Sequence, residues 1–208
     1  MFFMNSYDLI QDMTFSQSRD FMAGIKLKYD VKDWFTVNLS LHGDFYDRFK
    51  RHERIDERKN VYKSKIFEPR LTLTSSYFTG HNIIFGVEHT TDELTSDRFV
   101  NRRMTTRSLH ETEYFLQDEW TVNSHWMLSS GVRTNFSKAF GFMWMPKIAI
   151  KYAPDNHWAL RANYSMGYRA PSIKELFFNW DHLGMFQIKG SENLQSEKNN
   201  YFSLGTEY

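Results

Sequence analysis

The chain has 208 residues, with 26 Lys and Arg against 25 Asp and Glu, a net charge of +1, no cysteine and 17% aromatic residues. That length suits one domain or two small ones, and the charge balance gives no electrostatic case for a nucleic-acid binder. Disulfide scaffolds, Cys-ligated zinc and thiol chemistry are excluded, as are disorder, by the aromatic content, and a transmembrane helix, by a mean hydropathy of −0.59 without a long apolar run.

The first 13 residues carry Asp8 and Asp12 where an export signal would need an apolar stretch, so an exported protein would contain this chain as one piece of a longer one. From there period-2 alternation dominates. Phe21, Ala23, Ile25, Leu27 and Tyr29 oppose Lys26 and Lys28, and Phe35, Val37, Leu39 and Leu41 oppose Asn38, Ser40 and His42. Further on, Trp126, Leu128, Ser130, Val132, Thr134 and Phe136 oppose Met127, Ser129, Gly131, Arg133 and Asn135, and Trp144, Pro146, Ile148, Ile150 and Tyr152 oppose Lys147, Ala149 and Lys151. Trp158, Leu160, Ala162, Tyr164, Met166 and Tyr168 oppose Ala159, Arg161, Asn163, Ser165, Gly167 and Arg169, and Phe202, Leu204, Thr206 and Tyr208 oppose Ser203, Gly205 and Glu207. At helical spacing each pair of sets would mix; along a strand they separate.

Nine strands are predicted, over 20–30, 34–46, 65–78, 83–91, 109–120, 126–137, 143–153, 158–169 and 199–208. Most reach or exceed the 9–11 residues that cross a bilayer at a tilt, beyond the 5–6 usual in soluble sheets. The links alternate. Those at 30–33, 79–82, 121–125 and 154–157 are short, 138–142 is intermediate, and 47–64, 92–108 and 170–198 are long. An up-and-down outer-membrane barrel, with short turns at one end and long loops at the other, produces this rhythm. Trp34, Trp120, Trp126 and Trp158, with Tyr29, Tyr77 and Tyr152, sit beside the short links. Such a row suits a membrane–water interface, where a ring is half wet.

The expected fold is therefore all-β, an antiparallel up-and-down transmembrane β-barrel segment. Bacterial single-chain barrels have even strand numbers, and an open edge in lipid leaves backbone groups unsatisfied. Nine strands are thus expected to be part of a larger barrel. The competing reading is a soluble β-sandwich or carbohydrate-binding module that uses its surface aromatics.

The long links are charged. Residues 47–64 mix both signs and read as a solvated loop, whereas 92–108 lean basic through Arg98, Arg102, Arg103 and Arg107. No G-x-S-x-G, H-E-x-x-H or P-loop occurs, so no enzyme is expected. Glu88, Glu113 and Glu207 alternate onto the polar face and are candidates to pair with Arg133, Arg161 or Lys147 across strands.

The segment Tyr168-Arg169-Ala170-Pro171, followed by Ser172-Ile173-Lys174-Glu175-Leu176-Phe177, resembles the aromatic-Arg-Ala-Pro segment of TonB-dependent outer-membrane receptors. Gly190-Ser191-Glu192-Asn193-Leu194-Gln195-Ser196-Glu197-Lys198 is similar to that family's Gly-Asn-Pro-Asn-Leu-x-Pro-Glu-Lys stretch, departing at Ser191, Glu192 and Ser196. Phe115 to Trp120, Gly131-Val132-Arg133 and Pro146-Lys147 also fit. The likeness covers about residues 60–208, and the rest by strand pattern alone.

The resemblance implies a bacterial outer-membrane location and a 22-stranded plugged barrel, a class within the known range of such barrels. It implies uptake of a scarce ligand, such as a ferric siderophore, haem or cobalamin, with no resident cofactor. Residues 1–208 would form part of the barrel domain, with no plug domain present. The partners would be outer-membrane lipid, the ligand, and a TonB-type energy-coupling protein acting through the plug region missing here. The motif residues are Tyr168, Arg169, Ala170, Pro171, Asn193, Leu194 and Glu197, and the ligand-binding candidates are His182, Arg169, Tyr168 and Trp180. In haem-uptake members a His between the two motifs is an axial haem ligand. His182 holds that place here, near Phe178, Trp180, Met185 and Phe186; the other reading is a loop histidine without a ligand.

Overall fold

The computed structural model describes residues 14–52, 57–99, 103–155, 157–182 and 186–208. Eight strands follow one another: β1 (Thr14–Lys32), β2 (Phe35–His52), β3 (Glu57–Ser75), β4 (His81–Ser96), β5 (Thr105–Thr121), β6 (Trp126–Ser137), β7 (Gly141–Tyr152) and β8 (Ala159–Arg169). A single-turn helix, α1 (Ile173–Phe177), and a small hairpin, β9 (Asn179–His182) with β10 (Phe186–Lys189), precede β11 (Glu197–Glu207). The first 13 residues, the tip of the first long link at 53–56, and Arg102 lie outside the described residues.

All large strands join one nine-stranded antiparallel sheet in the order β1-β2-β3-β4-β5-β6-β7-β8-β11. Each neighbour is the next strand in sequence except at the end, where β11 returns to β8 after the helix and hairpin. The sheet is open, with β1 and β11 as its edges among the described residues. Among the described residues no second sheet covers the Trp, Leu and Ile rows, which are exposed. A β-sandwich would bury those rows between layers, so the sandwich reading fails here.

The expected strands are all present, but those flanking the links at 47–64 and 92–108 extend further into them. β2 continues to His52 and β3 begins at Glu57, so charged residues read as loop are paired instead, with Asp47 opposite Lys63 and Lys50 opposite Lys59. The link at 92–108 shortens in the same way, since β4 runs to Ser96 and β5 starts at Thr105. A ladder outside the membrane needs only backbone partners, so loss of the apolar row does not end the strand. A bulge between Arg48 and Phe49 increases the local twist at this height.

Short turns close the other ends, and Gly80 sits at φ +81° in the turn leading into β4. A side chain there would be strained, and its Cβ would meet the Thr121 carbonyl oxygen at 2.8 Å.

Candidate functional site

Directly paired residues in an antiparallel ladder share a face, so the register assigns the two surfaces of the sheet. One row of directly opposed residues links Tyr29, Val37, Leu73, Phe85, Leu116, Val132 and Pro146 from β1 to β7. It is apolar throughout, as a lipid-facing surface requires. At the short-turn end the expected aromatic row is present and self-packed. Trp34 meets Tyr77 at 4.9 Å, Trp126 stacks on Tyr152 at 4.4 Å, and Trp158 meets Tyr208 at 4.8 Å between ring centroids. A second exposed row near the long-link end contains Phe21, Phe45, Phe67, Phe136, Phe142 and Trp144. Phe21 is 63% exposed and packs on Phe45 at 6.2 Å. Two girdles at two heights mark the two edges of a bilayer.

The opposite face is polar and internally paired. Arg70 bonds Glu88 across β3 and β4. Arg133 donates to Glu113 at 3.0 Å, and Asn135 donates to Glu111 at 2.6 Å, across β5 and β6. Arg161 holds Glu207 with two bonds of 3.0 and 2.8 Å. Of the three expected carboxylates, Glu113 and Glu207 therefore meet Arg133 and Arg161, while Glu88 takes Arg70, a partner the sequence reading omitted. This face is the lumen side, where water and counter-charges make ionised groups tolerable.

Residues 170–182 and 186–196 form a strap that folds back over the lumen face, where the sequence had suggested an external loop. It begins at the Arg169-Ala170-Pro171 motif. Pro171 is buried, and Ser172 starts α1 with a reciprocal capping box. The Ser172 hydroxyl accepts from the Glu175 amide at 3.3 Å, and the Glu175 carboxylate accepts from the Ser172 amide at 2.8 Å. This satisfies N-terminal groups that a one-turn helix would otherwise leave unpaired. The Arg169 guanidinium then reaches both ways. It donates to Glu175 at 3.2 and 3.1 Å and to Glu197, at the start of β11, at 3.2 and 2.8 Å. These bonds from Arg169, followed by those from Ser172, draw the Glu175 carboxyl down to about 2.

The apolar side of the strap supplies the only buried core cluster among the described residues. Ile173 and Phe178 pack with Leu94 of β4 and Phe99 of the following link, and Tyr62, Leu109 and Phe177 border them. Ile173 and Phe99 are each 1% exposed. The β9–β10 ribbon is tied to the same place: the Asn179 amide donates to the Arg98 carbonyl at 2.8 Å, and the Gly190 amide to the Phe178 carbonyl at 2.5 Å. Gly190 lies so close to α1 that a Cβ would meet the Glu175 carbonyl oxygen and Leu176 carbonyl carbon at 2.7 Å.

Where the strap meets β1–β3, it encloses one side of a cavity of about 380 Å³. Three cations line it: Arg48 from β2, Arg98 from the β4–β5 link and Lys174 from α1. Tyr46 and Tyr62 stand edge to face at 5.6 Å, and Lys174 Nζ lies 5.2 Å from the Tyr62 ring centre. Asp20 and Asp44 also contribute to the wall. Arg98 stacks 4.1 Å above Trp180, so the β9 tryptophan borders the cavity through its arginine.

The expected site residues are thus separated in role. Trp180 stands beside the cavity. Tyr168 is half-buried at the end of β8, and its hydroxyl accepts from Ser196 at 3.2 Å. Arg169 is engaged by two carboxylates and does not line the cavity. Ala170 and Pro171 shape the entry to α1, and Asn193 and Leu194 are exposed in the turn before β11. The backbone of His182 pairs with Phe186 at the tip of the β9–β10 ribbon, and its side chain lies outside what the structure describes. Sequence reasoning missed Arg48, Tyr46, Tyr62 and Lys174. Period-2 parity puts Tyr46, inside the predicted strand 34–46, on the polar face, which was a usable signal, whereas Arg48 and Tyr62 fall in the link read over 47–64. Nothing in the pattern brought Lys174 to them.

The family described as TonB dependent receptor-like, beta-barrel, matches residues 3–208. The iron-regulated outer membrane virulence protein of Vibrio cholerae serotype O1 is 26% identical over 168 residues, which are 77% of this chain and 26% of that protein. The chain therefore spans about a quarter of the length of the curated relatives it matches. A crystal structure of the ferric enterobactin receptor PfeA from Pseudomonas aeruginosa superimposes with a TM-score of 0.78 at 15% identity, covering 93% of this chain and 33% of the receptor. The siderophore receptor PirA from Acinetobacter baumannii gives 0.71 at 12% identity, over 92% of this chain and 32% of the receptor. Among the described residues, the nine-stranded open sheet and the partial coverage of the matched structures fit a section of barrel wall. With its girdles, its polar lumen face and the family match over nearly its whole length, the chain belongs to the TonB-dependent receptor β-barrel family, whose place is the bacterial outer membrane and whose members are not enzymes.

Proposed function

We propose that residues 1–208 form part of the barrel of a receptor that takes up a ferric siderophore. The carrying observation is the cavity where the strap meets the wall, lined by Arg48, Arg98 and Lys174 beside the Tyr46–Tyr62 pair. Cations attract an anionic iron chelate, and aromatic faces stack on flat ligand groups. The names of the relatives favour the same class, since PfeA is a ferric enterobactin receptor and the Vibrio protein is iron-regulated. Uptake would be driven by a TonB-type coupling protein acting through the plug of the whole receptor. Haem at His182 is the alternative; the names of the relatives above do not point to it, and cobalamin has no particular support.

The test uses the full-length receptor in detergent, titrated with ferric enterobactin and followed by tryptophan fluorescence. Lys174→Ala and Arg98→Ala should each weaken binding by about tenfold, as loss of one charge-assisted contact does. Unchanged affinity in both variants would remove the cavity from the reading. A haemin titration of His182→Ala decides the alternative: an unaltered Soret shift and affinity rules His182 out as a ligand.

A further inference from the structure

We infer that Arg169 is a positioning residue: it holds the strap against the lumen wall, and through the strap it sets the shape of the cavity without touching the cargo. This rests on the siderophore reading only for its binding consequence; the mechanical claim stands on geometry.

Arg169 ends β8 and Glu197 begins β11, and these residues are paired across the sheet. The guanidinium therefore has a rigid base, the last rung of a ladder. From it the side chain reaches a second carboxylate, Glu175, in the middle of α1. Two carboxylates 22 residues apart are thereby brought onto one planar cation. A guanidinium can do this because its five donors form a fork; an ammonium cannot reproduce the geometry. Glu175 in turn caps α1 through Ser172, so one side chain joins the helix start, the strand start and the barrel rung.

The consequences are on the far side of α1. Lys174 precedes Glu175 and lies over Tyr62 in the cavity. Phe178 follows the helix and lines the same space. Ile173 and Phe178 seat in the cluster with Leu94 and Phe99. With Arg169 removed, α1 keeps its apolar seat but loses its anchor to the β8–β11 rung. Lys174 then loses its fixed distance from Arg48 and Arg98. The arginine of the motif would act on ligand affinity at second hand, by fixing where another cation stands.

The experiment uses the full-length receptor in detergent micelles, with barrel folding checked by heat-modifiable migration on gels. The first readout is limited trypsin cleavage after Lys174 and Lys189, located by mass spectrometry, with no ligand present. Wild type should be slow at both sites. Arg169→Gln and the double variant Glu175→Gln/Glu197→Gln should both be cut at least several-fold faster, while Arg169→Lys should not restore protection. Cleavage at the wild-type rate in both overturns the proposal. The second readout is affinity for ferric enterobactin. Arg169→Gln and the carboxylate pair should each lose about tenfold, a usual size for coupling between separate positions, and the triple variant should lose no more. Tighter binding in the carboxylate pair than in wild type would mean that a released Arg169 grips the chelate directly, and this also overturns the proposal. If wild type binds no ferric enterobactin, the siderophore reading fails while the cleavage result still decides the role of Arg169.

Discussion

At the scale of single residues, the strap depends on atoms that have no tolerance. Gly190 is the clearest case, because a methyl group at its Cα would be driven into the backbone of α1 at 2.7 Å. Gly190→Ala should therefore detach the ribbon from the helix, read as fast amide exchange at Phe178 to Gly190 with the rest of the sheet unchanged. The pH response of the strap follows from Glu175. The Arg169 guanidinium draws its carboxyl in the docked strap down to about 2, from the ordinary glutamate value of about 4.5. The contribution of this group is complete above about 4.5 and is lost as pH falls toward 2. Trypsin is inactive there, so hydrogen exchange is the suitable probe: protection of α1 should be flat from neutral pH to about pH 5 and fall below it, and the Glu175→Gln variant should lack this step. Phe178→Ala, which empties part of the buried cluster, should cost the docked strap about 3 kcal/mol, measured as the same local opening.

At the scale of elements, the strands were legible and the strap was not, for different physical reasons. β6 could be read from Trp126 to Ser137 without error because both of its faces have a constant environment, lipid on one side and lumen on the other. β2 was read short by several residues. From Asp47 its outward row is no longer uniformly apolar, and alternation in polarity disappears once both faces meet water. α1 is five residues long, less than two turns, so Ile173 and Leu176 are too few to display a helical period. The Arg169–Glu197 contact spans 28 residues and exists only because β11 returns to β8. The motif residues were recognisable, but their joint purpose required the topology.

The face assignment carries its own prediction. Ile148 lies in the lipid-facing row of β7, and Lys147 beside it points to the lumen. Ile148→Arg should destabilise the folded receptor by about 2–4 kcal/mol in a bilayer, measured by urea titration in vesicles. Lys147→Leu should cost far less. A spin label at Arg161 should be relaxed by a water-soluble agent, and one at Ala162 by a lipid-soluble agent; the reverse pattern would invert both faces.

At the scale of the whole molecule, the register determines the tilt of the wall. The row that starts at Tyr29, among the short-turn aromatics of β1, arrives in β7 at Pro146, six residues above Tyr152. Six residues over six strand-to-strand steps amount to one residue per step. With about 3.3 Å along a strand and about 4.8 Å between strands, the strands tilt by about 35°, the value at which transmembrane barrels close. The curvature of a large barrel is thus already encoded in these nine strands, although the closure is not. The sheet of the described residues has two unpaired edges, which lipid cannot satisfy, so residues 1–208 expressed alone should stay soluble only in detergent and take up no iron chelate in cells.

Strand length gives the outer rim a profile. β1 to β5 run for 16 to 19 residues, whereas β6, β7 and β8 stop at 11 or 12. Crossing the hydrocarbon consumes about ten of these, so one side of the mouth rises as a parapet and the other scarcely clears the headgroups. The strap springs from the low sector and leans on the tall one. A bulky solute descending to the surface would find its widest approach over the β6–β7 tip, sideways, and would be turned against the parapet before it could sink into the bore.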